Sequence, residues 1–337
     1  MGKNRGIRGW AIILLLTGSC WMAIDLGMAV TSRTDCKMTI LKGQGWKTVI
    51  NDLEHCGYRT GLAIKITART GILRKIIGSP KPGLLHCNRN LGHCLNHIAH
   101  TRILAMDVEP GMTAWEVSKR IATVFEIPDY MIWGLLNDPI LALQAGINVH
   151  KDTISAFEGF LGPGLFRFDS SLTPAQLMQL MAMQKIKTAK TIKPANMSMH
   201  RFLTLASMVQ KEGSRPSDMA KIARVFMNRL RIRMPLQSDP TMVYLPYGLK
   251  IRPCPALRKD KENPYNTYAH RGLPPGPICC AGIQAMKAVA KPYNGPGASN
   301  LLYFVAKGDG THVFSRTFRE HKRAIRKFLR RKRGLGR

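Results

Sequence analysis

The pattern of hydrophobic and polar positions predicts a helix just past the middle of the chain. Its apolar face is formed by four residues at helical spacing: Phe202, Leu205, Ala206 and Val209. The helix is expected to stop where Gly213 and Pro216 interrupt the pattern. Glu212 therefore lies where a helix meets a loop, and a partly desolvated carboxyl there can act as an acid at neutral pH. A glutamate at a helix end is ordinarily a solvated surface charge, so the pattern alone assigns it no function.

Helical periodicity also predicts the elements around this segment. One helix begins at Thr173-Pro174 and runs to about Thr188, and another is capped by Ser217 or Asp218. Residues 301–306 and 312–315 are expected to form a hairpin. A last helix follows, with a basic outer face. The residues predicted to face inward from these helices are Leu177, Leu180, Met181, Met183, Met219, Ile222, Phe226, Leu230, Phe318, Ile325, Phe328 and Leu329.

The first half of the chain has a mixed pattern. Short strands are predicted at 37–40 and 62–66, and a helix at 46–55. An extended segment at 106–108 is followed by the Pro110-Gly111 turn and a helix that starts at Thr113. This half is therefore expected to be a small α+β region.

The amino-terminal segment has the composition of a membrane span. Residues 1–9 are basic, and residues 10–30 are apolar except for Asp25 and a few small polar residues. A stretch of about 20 apolar residues spans a bilayer, and the basic flank favours a cytoplasmic amino terminus. Three interpretations are open: a retained signal anchor, a cleaved signal peptide, or a lipid-modified Cys20.

The charge of the chain is strongly positive. The 337 residues include 51 Lys+Arg against 20 Asp+Glu, a formal net charge of +31. Such a field attracts polyanions. No zinc-finger, RNP-like or helix-turn-helix signature accompanies the charge, so no specific nucleic-acid binding is predicted.

Cysteine and histidine raise the question of disulfides and metals. Most of the eight cysteines are interpreted as small buried hydrophobic residues. One segment combines imidazoles and thiols in a way that invites a zinc hypothesis: His86, Cys87, His93, Cys94, His97 and His100. Its spacing fits no closed zinc-site signature, so neither a metal nor another cofactor is predicted.

Four longer strings follow Glu212 in fixed order. They are VFMNRL (225–230), PLQSDPTMVY (235–244), NPYNTYAHRGLPPGPI (263–278) and LLYFVAKGDGTHVFS (301–315). In this order and at these distances they resemble the endolytic murein transglycosylases, the YceG-like family. The resemblance is dense over 202–329 and thinner over 38–180. The chain departs from the family's usual residues at Gln210, at Gly164-Leu165-Phe166 and at Ala281.

The resemblance implies an α+β protein with an ordered domain plan. A cytoplasmic segment (1–9) would precede a single-pass inner-membrane anchor (10–30), with the remainder in the periplasm. A small LysM-like α+β module would follow within 38–155, then a mixed α/β catalytic domain (156–329) and a basic tail (330–337). The alternative for the module is a small α+β domain with no ligand of its own.

The resemblance also implies an activity, that of a lyase. Glu212 matches the family's catalytic glutamate, which protonates the glycosidic oxygen between MurNAc and GlcNAc, then takes the proton of the MurNAc C6 hydroxyl and leaves 1,6-anhydroMurNAc ends. Polar groups on the next helix and on the loops that follow are the candidate substrate contacts: Asn228, Gln237, Asp239, Tyr265, Asn266 and Tyr268. The expected partners are peptidoglycan strands, the inner membrane and wall synthases. The alternative is a noncatalytic peptidoglycan-binding or scaffold protein of the same family.

Overall fold

A computed structural model of the chain describes residues 36–41, 43–81, 83–87, 90–100, 103–244 and 254–334. The predicted cytoplasmic segment and anchor, residues 1–30, lie outside these ranges. Within them, no helix has the length and apolar character needed to cross a membrane.

The α+β class is confirmed, with helices in the majority and three two-stranded sheets among the described residues. The first elements are β1 (Cys36–Ile40), α1 (Trp46–His55), α2 (Leu62–Arg69), α3 (Ile72–Ile77), β2 (Gly83–Cys87), α4 (Leu91–His100) and β3 (Ile103–Val108). Next come α5 (Ala114–Phe125), α6 (Asp129–Leu136), α7 (Pro139–Gln144), β4 (Gly164–Asp169), α8 (Pro174–Ile192) and α9 (Met199–Glu212). The last are α10 (Pro216–Arg231), α11 (Asp239–Met242), α12 (Ile283–Ala290), β5 (Tyr303–Ala306), β6 (His312–Ser315) and α13 (Phe318–Gly334). The described residues divide into two compact units: those up to Leu104 with Arg167–Leu172, and Ala105–Phe166 with those from Thr173 onward.

The first unit packs helices α1 to α4 around a small antiparallel sheet in which β1 pairs with β2. Its core consists of apolar side chains from the strands and helices, among them Val49, Ile50, Leu53, Leu91 and Ile98. The predicted strand at 37–40 and helix at 46–55 are confirmed. The predicted strand at 62–66 is wrong, because those residues begin α2. A short apolar run fits either element, and only the burial of Ala63 and Ile64 on one helical face decides between them.

The cysteines differ from their predicted role. Cys36 and Cys56 form a disulfide, and Cys254 is exposed, so the interpretation as buried hydrophobic residues is wrong for Cys254. Cys36 is buried in the core as predicted, but as half of a disulfide. It is confirmed for Cys279 and Cys280, which are buried thiols. Within the described part of the chain, no group of three His, Cys, Asp or Glu side chains could hold a metal. His97 instead pairs with Asp169 at 2.8 Å, while the side chains of His86 and Cys87 lie outside the described set.

The second unit is built around α9. Residues 202–209 are all buried, which encloses this helix on every side. It packs against α10 and α12. Capping boxes begin two of the helices around it, with Thr113 and Glu116 at α5 and Thr173 and Gln176 at α8.

Three details of the second unit differ from prediction. Leu180 and Met183 are exposed, because α8 turns only the face that contains Leu177 and Met181 into the core. Helix α10 starts at Pro216, one residue before the first predicted cap, and Arg215 is its N-cap. Asp239, expected in a loop, begins the single turn of α11.

The carboxy-terminal hairpin is confirmed. Strand β5 pairs with β6 in antiparallel register, from Tyr303 opposite Ser315 to Ala306 opposite His312. Helix α13 follows and packs against both strands. Phe318, predicted to face inward, is more than half exposed. This hairpin and the first turns of α13 form one side of a cleft in this unit.

Candidate active site

Glu212 is the last residue of α9, as the sequence predicts. The chain turns away at Gly213, which is extended and closely packed. A Cβ added there would lie 2.9 Å from the Met219 side chain and 3.0 Å from that of Ile222. Only glycine fits without displacing the core, and this close packing fixes the point at which the helix releases Glu212 into the cleft.

The Glu212 carboxyl is held by a short hydrogen bond. Ser238 Oγ donates to its Oε1 at 2.5 Å. Ser238 is itself buried, and its backbone N–H donates to Thr267 Oγ1 at 3.0 Å, which fixes the hydroxyl in place. The carboxyl is therefore oriented by the loop that contains Ser238.

Burial is the largest influence on the acidity of Glu212 and raises its pKa from 4.5 to about 7. The negative charge of Asp239 raises the pKa further, whereas the Ser238 hydrogen bond and the Arg229 charge oppose the rise. At neutral pH the carboxyl can therefore both donate and accept a proton.

Glu212 borders a cleft of about 290 Å³. Three other residues predicted from the sequence line the same cleft: Gln237, Asp239 and Tyr268. The Tyr268 hydroxyl donates to Asp239 Oδ1 at 2.6 Å, and the Arg258 guanidinium lies 5.0 Å from the Tyr268 ring centre. The cleft thus places an oriented second carboxylate beside the first.

Asn228, Tyr265 and Asn266 lie outside this cleft. Each is buried with its polar atoms engaged by the protein. The Asn228 amide donates to the carbonyls of Ala298 and Leu301, at 2.8 and 2.9 Å. These contacts join α10 to the segment before β5.

The other two hold the loop strings together. The Asn266 amide donates to the carbonyl of Asp260 at 2.6 Å and to that of Leu257 at 2.9 Å. The Tyr265 hydroxyl accepts from Ile154 N at 3.3 Å, and the ring has no exposed face. Neither residue presents a free group to a ligand in this structure.

Sequence reasoning missed several residues of the cleft. They are Arg229, Tyr303, Phe304, His312, Phe318 and His321. Arg229 is buried and donates to the carbonyls of Leu302 and Leu236, at 2.7 and 2.6 Å. Arg229, Tyr303 and His312 belong to the strings noted in the sequence. The sequence of these strings does not indicate which side chains point into the cleft. His321 lies beyond the last string.

A second buried carboxyl lies elsewhere in this unit. Glu158 accepts hydrogen bonds from Ala114 N at 2.9 Å and from the Tyr244 hydroxyl at 2.7 Å. Burial raises its pKa to about 7. It caps the start of α5, outside the Glu212 cleft, so a raised pKa by itself does not mark the site.

A helix-terminal carboxyl of raised pKa, beside a second carboxylate in an open cleft, defines a candidate acid–base site. Residues 38–327 match the profile of the YceG-like family, and the chain belongs to that family.

Relatives that are named for an activity match part of the chain. A Bacillus subtilis protein named endolytic murein transglycosylase is 37% identical over 187 residues, which is 53% of this chain and 50% of the relative. A Streptococcus pneumoniae protein of the same name is 33% identical over 177 residues, which is 50% of this chain and 31% of the relative. The chain thus matches half or less of the length of each.

A crystal structure of a YceG-like protein from Listeria monocytogenes has the same fold. Its TM-score is 0.59 at 24% identity, with 87% of this chain and 99% of that chain covered.

Proposed function

We propose that this protein is an endolytic murein transglycosylase. It cleaves the bond between MurNAc and GlcNAc within peptidoglycan strands and leaves 1,6-anhydroMurNAc ends. The observation that carries the proposal is Glu212, whose carboxyl faces the cleft with its pKa raised to about 7. The names of the relatives from Bacillus subtilis and Streptococcus pneumoniae give the same activity.

Glu212 begins the reaction in its protonated form. It donates its proton to the glycosidic oxygen, and the bond from that oxygen to C1 of MurNAc breaks. The C6 hydroxyl of the same sugar then bonds to C1, which closes the anhydro ring, and its proton restores the acid form of Glu212. No water enters the products.

This chemistry explains why a single catalytic carboxyl is sufficient. Hydrolysing glycosidases use two carboxyl groups, because one must activate water or attack the sugar. Here the nucleophile belongs to the substrate. Asp239 keeps a supporting role: its negative charge helps to keep Glu212 protonated, and its own oxygen is held by Tyr268.

The membrane anchor and the carbohydrate module remain parts of the proposal. We place residues 10–30 in the inner membrane as a single span, with the rest of the chain in the periplasm. Residues 38–155 are proposed to contain a LysM-like module. In that location the net charge of +31 attracts the chain to anionic wall or membrane groups, and wall synthases are its proposed partners.

A noncatalytic wall-binding role is the second candidate, favoured by the departures at Gln210, at Gly164-Leu165-Phe166 and at Ala281. The contacts of Gln210 weaken this candidate. Its Oε1 accepts from Gly282 N at 2.9 Å, a bond that a glutamate oxygen can also make. The departure at 210 therefore preserves the local packing and leaves the Glu212 carboxyl in place.

The experiment that tests the proposal is digestion of purified peptidoglycan with mass analysis of the new ends. Anhydro ends are lighter than hydrolytic ends by one water, and we expect only anhydro ends. Free reducing MurNAc ends would show that the protein is a hydrolase. Asp239 would then be the first residue to test as the second carboxylate. No new ends at all would favour the noncatalytic role.

A further inference from the structure

A second ionisable pair borders the same cleft. His312, the first residue of β6, is bound by Asp218 in the first turn of α10. Asp218 Oδ2 accepts from the His312 backbone N–H at 2.8 Å and pairs with the ring Nδ1 at 3.0 Å. Both side chains are about nine-tenths buried. The backbone contact alone would join the strand to the helix, and the second contact additionally orients the ring.

The contact with Asp218 decides which ring nitrogen carries the proton. A carboxylate only accepts hydrogen bonds, so Nδ1 is the donor and Nε2 of the neutral ring has a free lone pair. Nε2 makes no hydrogen bond to any residue within the described ranges.

Aromatic side chains fix the plane of this imidazole. The Phe304 ring meets it edge to face with centroids 5.8 Å apart, and the Phe314 ring lies at 6.3 Å. His312 also lines the cleft of about 290 Å³ that Glu212 borders. An imidazole held by a carboxylate on one nitrogen, with the other open in a cleft, has the arrangement of a general base.

We propose that His312 is a second catalytic group, which takes the proton of the MurNAc C6 hydroxyl while Glu212 serves as the acid. The inference rests on the transglycosylase function proposed above.

The proton balance of this step is complete. Glu212 gives its proton to the leaving oxygen, and the C1–oxygen bond breaks. The C6 oxygen bonds to C1, and its proton passes to Nε2 of His312. The enzyme is left with a carboxylate and an imidazolium, and transfer of that proton to Glu212 through solvent restores the starting state.

Several charged or titratable groups surround His312 and Glu212. Asp218 faces the His312 ring directly, and its charge stabilises the imidazolium formed in the reaction. The other titratable or charged groups that line the cleft are Glu212, Arg229, Asp239, Tyr268, Tyr303 and His321.

The test is the pH dependence of glycan cleavage by purified His312→Gln, Asp218→Asn and unmodified protein. His270→Gln is the matched control, because His270 is exposed in the same unit and does not line the cleft. The unmodified protein should give a bell-shaped kcat/KM profile. A reaction that needs one unprotonated base and one protonated acid loses activity on both sides of its pH optimum.

His312→Gln should lower kcat by about 10²-fold or more, leave KM nearly unchanged and remove the acid-side fall. Asp218→Asn should lower kcat with KM unchanged, because the His312 ring is no longer held in one tautomer. This variant tests the proposal if His312→Gln does not fold. Anhydro products with an unchanged acid-side fall in a folded His312→Gln protein would overturn this proposal alone. Reducing ends from the unmodified protein would overturn the transglycosylase function together with it.

Discussion

Replacing Glu212 by Gln should abolish strand cleavage and leave the fold intact. The amide has the size of the carboxyl, and its oxygen can still accept the hydrogen bond that Ser238 now donates at 2.5 Å. It cannot donate a proton to the glycosidic oxygen. Loss of a general acid costs about 10²–10⁴-fold in rate, so the variant should turn over at a small fraction of the original rate at every pH.

The raised pKa determines what fraction of Glu212 is in the protonated, reactive form. At pH 7 a glutamate with the ordinary pKa of 4.5 is protonated in about 0.3% of molecules. With its pKa raised to about 7, Glu212 is protonated in about half of them. The cleft therefore increases the population of the reactive form about 160-fold.

The same pKa sets the pH dependence of stability. The pKa in the folded state lies above that of the unfolded chain, so the folded state holds this proton more tightly. Glu212 thus favours folding most below about pH 4.5, and its contribution declines as pH rises towards 7. At roughly 1.4 kcal/mol per pKa unit, the decline is at most about 3.5 kcal/mol. Glu212→Gln should therefore be more stable than the original protein at pH 8 and similar to it at pH 4.

The assay is cleavage of purified glycan strands together with chemical unfolding at both pH values. Glu158→Gln is the matched control, because Glu158 is also buried with its pKa raised to about 7 but lies outside the cleft. It should change the stability profile in the same direction and leave kcat unchanged. Full activity of a folded Glu212→Gln protein would refute the assignment, and equal loss in both variants would show that burial rather than position in the cleft governs the rate.

Three further predictions concern other parts of the chain. Gln210→Glu should cleave glycan at nearly the original rate, since either side chain accepts the Gly282 N–H; a large loss would show that the neighbouring charge disturbs Glu212. Deletion from Arg330 onward should leave cleavage of soluble glycan nearly intact, because Ile325 is the last of the described side chains that line the cleft; a folded but inactive truncation would place the tail in the site. A reporter fused after Thr34 should be active only outside the cytoplasm, and cytoplasmic activity would contradict both the topology and the substrate.

The helix that ends at Glu212 was predictable because its signals are local. Apolar positions recur at helical spacing over 202–209, and a glycine and a proline follow at once. The strand wrongly predicted at 62–66 had no comparable signal, because a run of five residues is too short to show its period. The disulfide between Cys36 and Cys56 forms because the fold brings their Cα atoms to 5.3 Å, and no sequence pattern predicts this distance.

The residues of the cleft were only partly predictable for a similar reason. Polar residues within the long strings serve two purposes that look alike in sequence. Asn228 and Asn266 satisfy backbone carbonyls, while Gln237 and Asp239 face the cleft. His321 comes from a different element, α13, and reaches the site only because that helix packs against the β5–β6 hairpin.

The most direct measurement of the central claim is digestion of peptidoglycan in water labelled with heavy oxygen. In the proposed reaction the C6 hydroxyl of MurNAc attacks C1, so no solvent oxygen enters the new ends. We predict anhydro ends without the label, formed by the unmodified protein and absent with Glu212→Gln. New MurNAc ends that carry the heavy oxygen would contradict the account, because they require attack by water.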